Sequence, residues 1–397
     1  MQSRLAKVPR EVLFVIAGSF LMSVARAMSL TFVAIILLRD FSMSPMAIGF
    51  VLGLGPLLGA VVAPVVGAWS DHAGREPVLA VIFSTLFAST FALGITNDWS
   101  VYCLAYTIAA IAIALFGPIA RAIISDGATE LSARLGYFSW RYTASNLGWV
   151  IGPVAGVLIG AATPAAFLIA GSIYALLLAI LAVVDITRLD QPEIKVAKPG
   201  KMIADLRKTL SDRRLLYFVC GGVLAVAAYG HWSATVGPYL SGIGRGPEAF
   251  ALFVSTNGLT VLLANPFARR FIARAGGRSG LLIGCMLLCA SQIGFAIATG
   301  LPGLVTAMIA LSIGEVFIVS SEYTLIDAIA SASAKGSYFG AHALTSVGSF
   351  IGPALGGLML TMLGGPAMFL FFALVSLASA LLYLRGMRTS PIASPRD

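Results

Sequence analysis

The chain has 397 residues, 58% of them hydrophobic and only 11% charged, with a mean hydropathy of +0.93 and a formal net charge of +9. A soluble domain carries roughly 25% charged residues, so this balance excludes a water-soluble fold. In a membrane chain the basic excess reads as orientation in the bilayer, not as nucleic-acid binding.

The first apolar run, 12–38, is too long for the core of a signal peptide and lacks a clear small-residue cleavage site, so it reads as the first membrane-spanning helix. Further spans follow at 46–69, 78–97, 100–124, 136–160, 164–186, 214–240, 247–268, 280–299, 301–324, 337–362 and 366–386. Each is about the 20 residues needed to cross a hydrocarbon core of roughly 30 Å. Short loops join them, except for a polar stretch at 187–213 that contains the amphipathic piece KMIADLRKTL. The expected organisation is therefore all-α: a six-helix half at 1–186, a linker at 187–213 and a second six-helix half at 214–397. Cys103, Cys220, Cys285 and Cys289 all fall inside apolar runs, which argues against a disulfide framework. Cys285 and Cys289 share a helix face, but no Met or His clusters near them, so packing is their reading and no metal is expected.

Lysine and arginine set the expected topology. With both termini inside, 21 of the 26 basic residues lie at cytoplasmic ends and loops, and only Arg39 and Arg245 lie outside. The other three, Arg26, Arg121 and Arg141, fall within helices or at their ends. Such a split follows the positive-inside rule. The two halves also repeat. GWVIGPVAG at 148–156 matches GSFIGPALG at 348–356, and Pro64 and Gly74 recur as Pro266 and Gly276. Parallel six-helix repeats are a transporter architecture with the binding site between them near the midplane.

GAWSDHAGREP, Gly67–Pro77, resembles the loop signature of the major facilitator superfamily, and the resemblance extends over essentially the whole chain. It implies a conformational latch made by Gly67, Asp71, Gly74 and Arg75. Asp71 stands where it can cap a helix, Gly74 permits a tight turn, and Arg75 can hold a neighbouring helix end. Glu76 replaces the usual second basic residue. Gly148, Gly152, Pro153 and Gly156 resemble the fifth-helix motif of drug/proton antiporters, with Val157 where a second Gly often stands. Glycines four residues apart give a smooth face for close helix packing. The run from Ile313 to Gly340 resembles the tenth helix and following loop of twelve-helix proton-driven multidrug exporters. Thr107 departs from that group, which commonly has Arg in the fourth helix, and Arg141 falls where some relatives have a carboxylate.

An ionisable group within the hydrocarbon costs roughly 2.5–3.5 kcal/mol on insertion scales, so it needs a partner or a wet cavity. Arg26 and Glu315 lie deep in the first and tenth spans, which line the central cavity in the resembling family. Glu322 lies two turns beyond Glu315 on about the same face. Glu315 and Glu322 are the candidate proton-coupling residues. The candidate substrate cavity comprises Arg26, Arg121, Arg141, Tyr229, His231, Trp232 and Glu315. Arg121 and Arg141 are expected to pair with Glu322 or Asp126, or to reach the interface. His72 and His342 fall near the inner face and receive no role. The leading reading is a proton-coupled exporter of amphipathic small molecules in a bacterial inner membrane. An importer of an anionic or zwitterionic nutrient is the alternative, and a membrane-embedded enzyme or sensor stands behind both. No catalytic residue, metal, cofactor or ATP-binding motif is expected. The partners expected are a small-molecule substrate, protons and membrane lipid, with no nucleic acid and a monomeric chain.

Overall fold

The computed structural model describes residues 8–128, 130–183, 211–330 and 335–388, and the regular structure among them is entirely helical. Inside a bilayer no water satisfies backbone groups, so an apolar chain that crosses it must bond internally as helix. In chain order the helices are α1 (Arg10–Met28), α2 (Val33–Arg39), α3 (Pro45–Ala73), α4 (Arg75–Ile95), α5 (Trp99–Asp126), α6 (Leu131–Gly160) and α7 (Pro164–Leu181). They continue as α8 (Arg213–Gly230), α9 (Trp232–Gly242), α10 (Pro247–Ile297), α11 (Leu301–Ile329), α12 (Lys335–His342) and α13 (Gly348–Arg388).

Ten spans among the described residues are long and apolar enough to cross a membrane. Two of them are double. At 51 residues α10 would be about 76 Å long at 1.5 Å per residue. It turns at Gly276, whose φ of 82° and ψ of 154° are not helical. α13 turns likewise at Gly364, with φ 78°. A helix on either side of both glycines brings the count to twelve. The linker piece KMIADLRKTL lies outside the described residues.

The first span is not the single helix expected. α1 stops at Met28, Ser29 adopts φ −120° and ψ −70°, and a 3-10 turn at Leu30–Phe32 precedes α2. Local hydroxyls compete for the carbonyls of the last turn: Ser29 Oγ donates to the Ala25 carbonyl at 2.7 Å and Thr31 Oγ1 to that of Arg26 at 3.5 Å.

The chain folds as two compact units, each assembled from segments distant in sequence. One comprises Met1–Ser42, Leu54–Ile194 and Arg245–Leu259; the other comprises Met43–Gly53, Lys195–Gly244 and Thr260–Asp397. In the first unit α6 lies tightly against α1. A Cβ on Gly152 would stand 2.6 Å from Ala27 Cβ, and one on Gly156 2.6 Å from the Met28 carbonyl oxygen. The start of α10 joins the same unit, with Ser255 Oγ donating to the Val150 carbonyl at 2.9 Å. In the second unit α13 meets α8 through the repeated glycines, and a Cβ on Gly352 would stand 2.5 Å from the Ala227 carbonyl oxygen. There the start of α3 joins in, Met46 N–H donating to Thr361 Oγ1 at 3.1 Å. Asp212 caps α8 by accepting from Arg214 N–H at 2.8 Å and also accepts from the Tyr338 hydroxyl at 2.7 Å, which ties α12 to the start of α8. Burial, aided by that bond, pushes the Tyr338 phenol up to about 12, so it keeps its proton at physiological pH.

Candidate functional site

Gly74 has φ 91° and ψ 163°, which an L side chain rarely adopts, and this turn starts α4 at Arg75. Arg75 is buried at 8% exposure, with Nε 3.3 Å from Asp126 Oδ2 and Nη1 donating to Ser70 Oγ at 2.6 Å. The guanidinium thus holds the C-terminal end of α5, where a carboxylate faces the negative end of the helix dipole and gains from a cation. Ser70 is in turn fixed by donating to the Gly67 carbonyl at 2.7 Å. The side chain of Asp71 lies outside the described residues. In the second half Gly276 makes the corresponding turn, and Gly277 follows it where Arg75 follows Gly74.

The first unit carries the arginines. Arg26 sits in the last turn of α1, at the break in the first span, where the helix dipole favours a cation. Its side chain is exposed, its Cζ lies 5.1 Å from the centroid of the Trp149 ring, and Tyr106 and Tyr174 are its electrostatic neighbours. Arg141 donates from Nε to Ser19 Oγ at 3.0 Å and lies over the Phe116 ring at 5.9 Å, with Arg121 close enough to repel it. Arg121 itself is exposed on α5. Asp126, one partner expected for these arginines, is instead held by Arg75. Pro153 is buried on α6 among the packing glycines Gly148, Gly152 and Gly156.

The second unit carries the carboxylates. Glu322 on α11 is 4% exposed and accepts a hydrogen bond at Oε1 from the hydroxyl of Tyr383, itself fully buried on α13. Its Oε2 lies 3.5 Å from Nε2 of His342 on α12. Tyr229 on α8 and Cys285 on α10 complete its electrostatic surroundings. Space for the carboxylate comes from Gly222 on α8, where a Cβ would stand 2.8 Å from Glu322 Oε1. Glu322, the other partner expected for the arginines, therefore draws on its own bundle. Glu315 is half-buried two turns earlier on α11 and, with Glu322, acts electrostatically on Tyr229.

His231 is 1% exposed and fully engaged. Nδ1 meets Thr235 Oγ1 at 2.9 Å, Nε2 meets Gln292 Oε1 at 3.2 Å, and the ring stacks on Phe372 at 4.0 Å. Gln292 Nε2 then donates to the Ala228 carbonyl at 2.8 Å. The geometry is that of a buried brace where α8 passes into α9. Trp232 and Tyr229 flank it, both half-buried.

The sequence profile of the Major Facilitator Superfamily matches residues 15–345 and 234–396. The chain belongs to this superfamily. Among its relatives is the MFS-type transporter YdeE of Escherichia coli K12, 28% identical over 387 residues that span 96% of each chain. A class C tetracycline resistance protein of Escherichia coli is 36% identical over 115 residues, 28% of each chain. The crystal structure of the nucleoside transporter NupG superposes with a TM-score of 0.81 at 14% identity, covering 96% of this chain and 100% of that one. The protein is thus a multi-pass membrane transporter with the major facilitator fold, and not an enzyme.

Within this superfamily member, sequence reasoning reached Arg75 and Glu322 but missed their partners. Asp126, Tyr383 and His342 lie 51, 61 and 20 residues away along the chain, and nothing local announces them. Gly222 carried a faint signal as half of a Gly-Gly pair inside an apolar run. A separate cleft of about 270 Å³, lined in part by Asp40, Thr96, Asn97 and Tyr102, borders none of the expected site residues.

Proposed function

We propose that this chain is a proton-coupled secondary transporter that exports amphipathic small molecules by alternating access, acting as a monomer in a bacterial inner membrane with both termini cytoplasmic. The observation that carries the reading is the carboxylate of Glu322, shared among three elements in the interior of one helical bundle. Ionised, it holds Tyr383 on α13 and, with His342, the end of α12. Protonated, it loses the charge that makes both contacts strong, and the helices around it are released to a second packing. A proton gradient acts on such a carboxylate by loading it from one side and unloading it to the other. Each unit of pKa difference between the two states corresponds to about 1.4 kcal/mol of coupling. The titratable groups facing Glu322 are Tyr229 from α8, Cys285 from α10, His342 from α12 and Tyr383 from α13, with Glu315 on its own helix. Glu315 is the second candidate on the proton path.

Export is supported by the likeness of the fifth-span motif to drug/proton antiporters and by the tetracycline resistance relative. The Arg75–Asp126 pair serves in this reading as the latch that biases the conformational exchange, with no contact to substrate.

The test is transport in proteoliposomes. Glu322→Gln keeps the shape and removes the charge, so substrate binding persists while uptake driven by an imposed pH gradient falls at least tenfold. Glu315→Gln run in parallel shows how the two carboxylates divide the task. Wild-type gradient dependence in both variants would overturn the proton role.

A further inference from the structure

The charges inside the spans are segregated by half. Arg26, Arg121 and Arg141 fall in the spans of the first half, where no Asp or Glu lies away from the ends, whereas those of the second half hold Glu315 and Glu322 and no Lys or Arg away from their ends. A cation in the hydrocarbon costs free energy unless something negative or wet meets it. Arg141 has a neutral partner, Ser19. Arg26 has aromatic rings about it and an exposed side chain.

We infer that Arg26 and Trp149 form a binding subsite for an aromatic organic anion, the acid group held by the guanidinium and the ring stacked beside the indole. This deepens the export reading above by naming the substrate class. Several independent features converge on it. The guanidinium is presented at a helix break and is already oriented by the Trp149 face. The backbone that carries Trp149 is packed closely against α10, since a Cβ on Gly258 would stand 3.0 Å from Trp149 Cβ. The hydroxyl of Tyr174, a residue with no exposed surface, has no hydrogen-bond partner among the described residues and lies in the electrostatic reach of Arg26. Buried hydroxyls are ordinarily satisfied, so this one is a spare polar group within the field of the guanidinium. Ser19 is seven residues before Arg26 on α1, about 10.5 Å along the helix, and Arg141 stands there as a second cation. An anion at Arg26 meets a second positive charge at Arg141, and α1 and α6 hold no Asp or Glu apart from Glu11 at the start of α1. Planar guanidinium suits planar acid groups through paired N–H donors, which a lysine at the same place would not offer.

The experiment measures equilibrium binding to the purified full chain by calorimetry at pH 7, using three probes with one ring system: 1-naphthoate, 1-naphthamide and 1-naphthylmethylammonium. The wild type binds naphthoate at least tenfold more tightly than the amide, and the amide more tightly than the ammonium. Arg26→Gln abolishes the preference for the anion. Arg26→Lys keeps the preference at reduced affinity, and Trp149→Leu weakens all three probes together. Glu322→Gln leaves the preference intact, so failure of the proton reading and failure of this one are separately visible. Equal binding of the three probes, no binding of any, or an undiminished anion preference in Arg26→Gln overturns the assignment. Should Arg26→Gln not fold, unchanged naphthoate affinity in both Arg26→Lys and Trp149→Leu overturns it equally.

Discussion

Arg75 shows how a single side chain converts a loop signature into a structural joint. The pair it makes with Asp126 is largely withdrawn from solvent, Arg75 buried at 8% exposure and Asp126 partly exposed at 13%. Removing one member of such a pair leaves a charge without compensation and typically costs about 3–5 kcal/mol, whereas replacing both with apolar groups is often neutral. Arg75→Ala should therefore lower the thermal unfolding temperature in detergent by several degrees, and the double variant Arg75→Leu/Asp126→Leu should recover most of the loss. A double variant as unstable as the single would mean that the pair is not the source of the stability. The two variants also separate stability from latching, because the double variant regains the fold but not the charge interaction proposed to bias the exchange. Arg75 was legible in the sequence because its motif is local. Asp126 was not, because only the folding of α4 against α5 brings it near.

Among the elements, the glycine faces of α6 and α13 carry the repeat into three dimensions. Gly148, Gly152 and Gly156 meet α1, while Gly348 and Gly352 meet α8 and Gly356 meets His231 and Thr235 where α8 passes into α9, so each half joins its first and fifth spans in the same way. Without a hydrophobic driving force between helices in lipid, close backbone approach is what supplies contact. A methyl group at Gly152 would overlap Ala27 and the Val24 carbonyl, whereas one at Gly67 meets nothing within 4 Å. Gly152→Ala and Gly352→Ala should each destabilise the chain by about 1–3 kcal/mol. Gly67→Ala should be neutral or slightly stabilising, because alanine loses less chain entropy in a helix. Thermal unfolding of the three variants side by side checks this, and equal effects at all three sites would remove the packing role. The close-packed face was legible from the spacing of four. Which helix it packs against was not, and neither was the break after Met28, where hydroxyls compete with the helix for its carbonyls.

For the whole molecule, the distribution of lysine and arginine makes a directional prediction. A reporter fused after Asp397, or inserted within 190–205, should register as cytoplasmic, and one beside Arg245 as periplasmic. A cytoplasmic signal from the Arg245 loop would invert the second half and end the parallel-repeat reading. The repeat itself passes through α3 and α10, whose first turns belong to the compact unit of the opposite half. The boundaries drawn from hydropathy, 1–186 and 214–397, follow the order of the chain and carry no sign of this exchange of segments.

By itself the sequence determined the solvent, the number of spans, the repeat and the family. These properties depend on composition, on periodicity and on motifs only a few residues long, all of them local to the chain. Only the tertiary structure decided which charges meet. Among the described residues Glu322 is joined to Tyr383 and His342 and not to an arginine, His231 is a braced core residue, and Arg26 has aromatic neighbours. In hydrocarbon a charged or polar group is stable only with a partner or with water, and that partner comes from whichever helix the packing brings into reach. Distance along the chain carries no information about that choice, so the site had to be read from the fold.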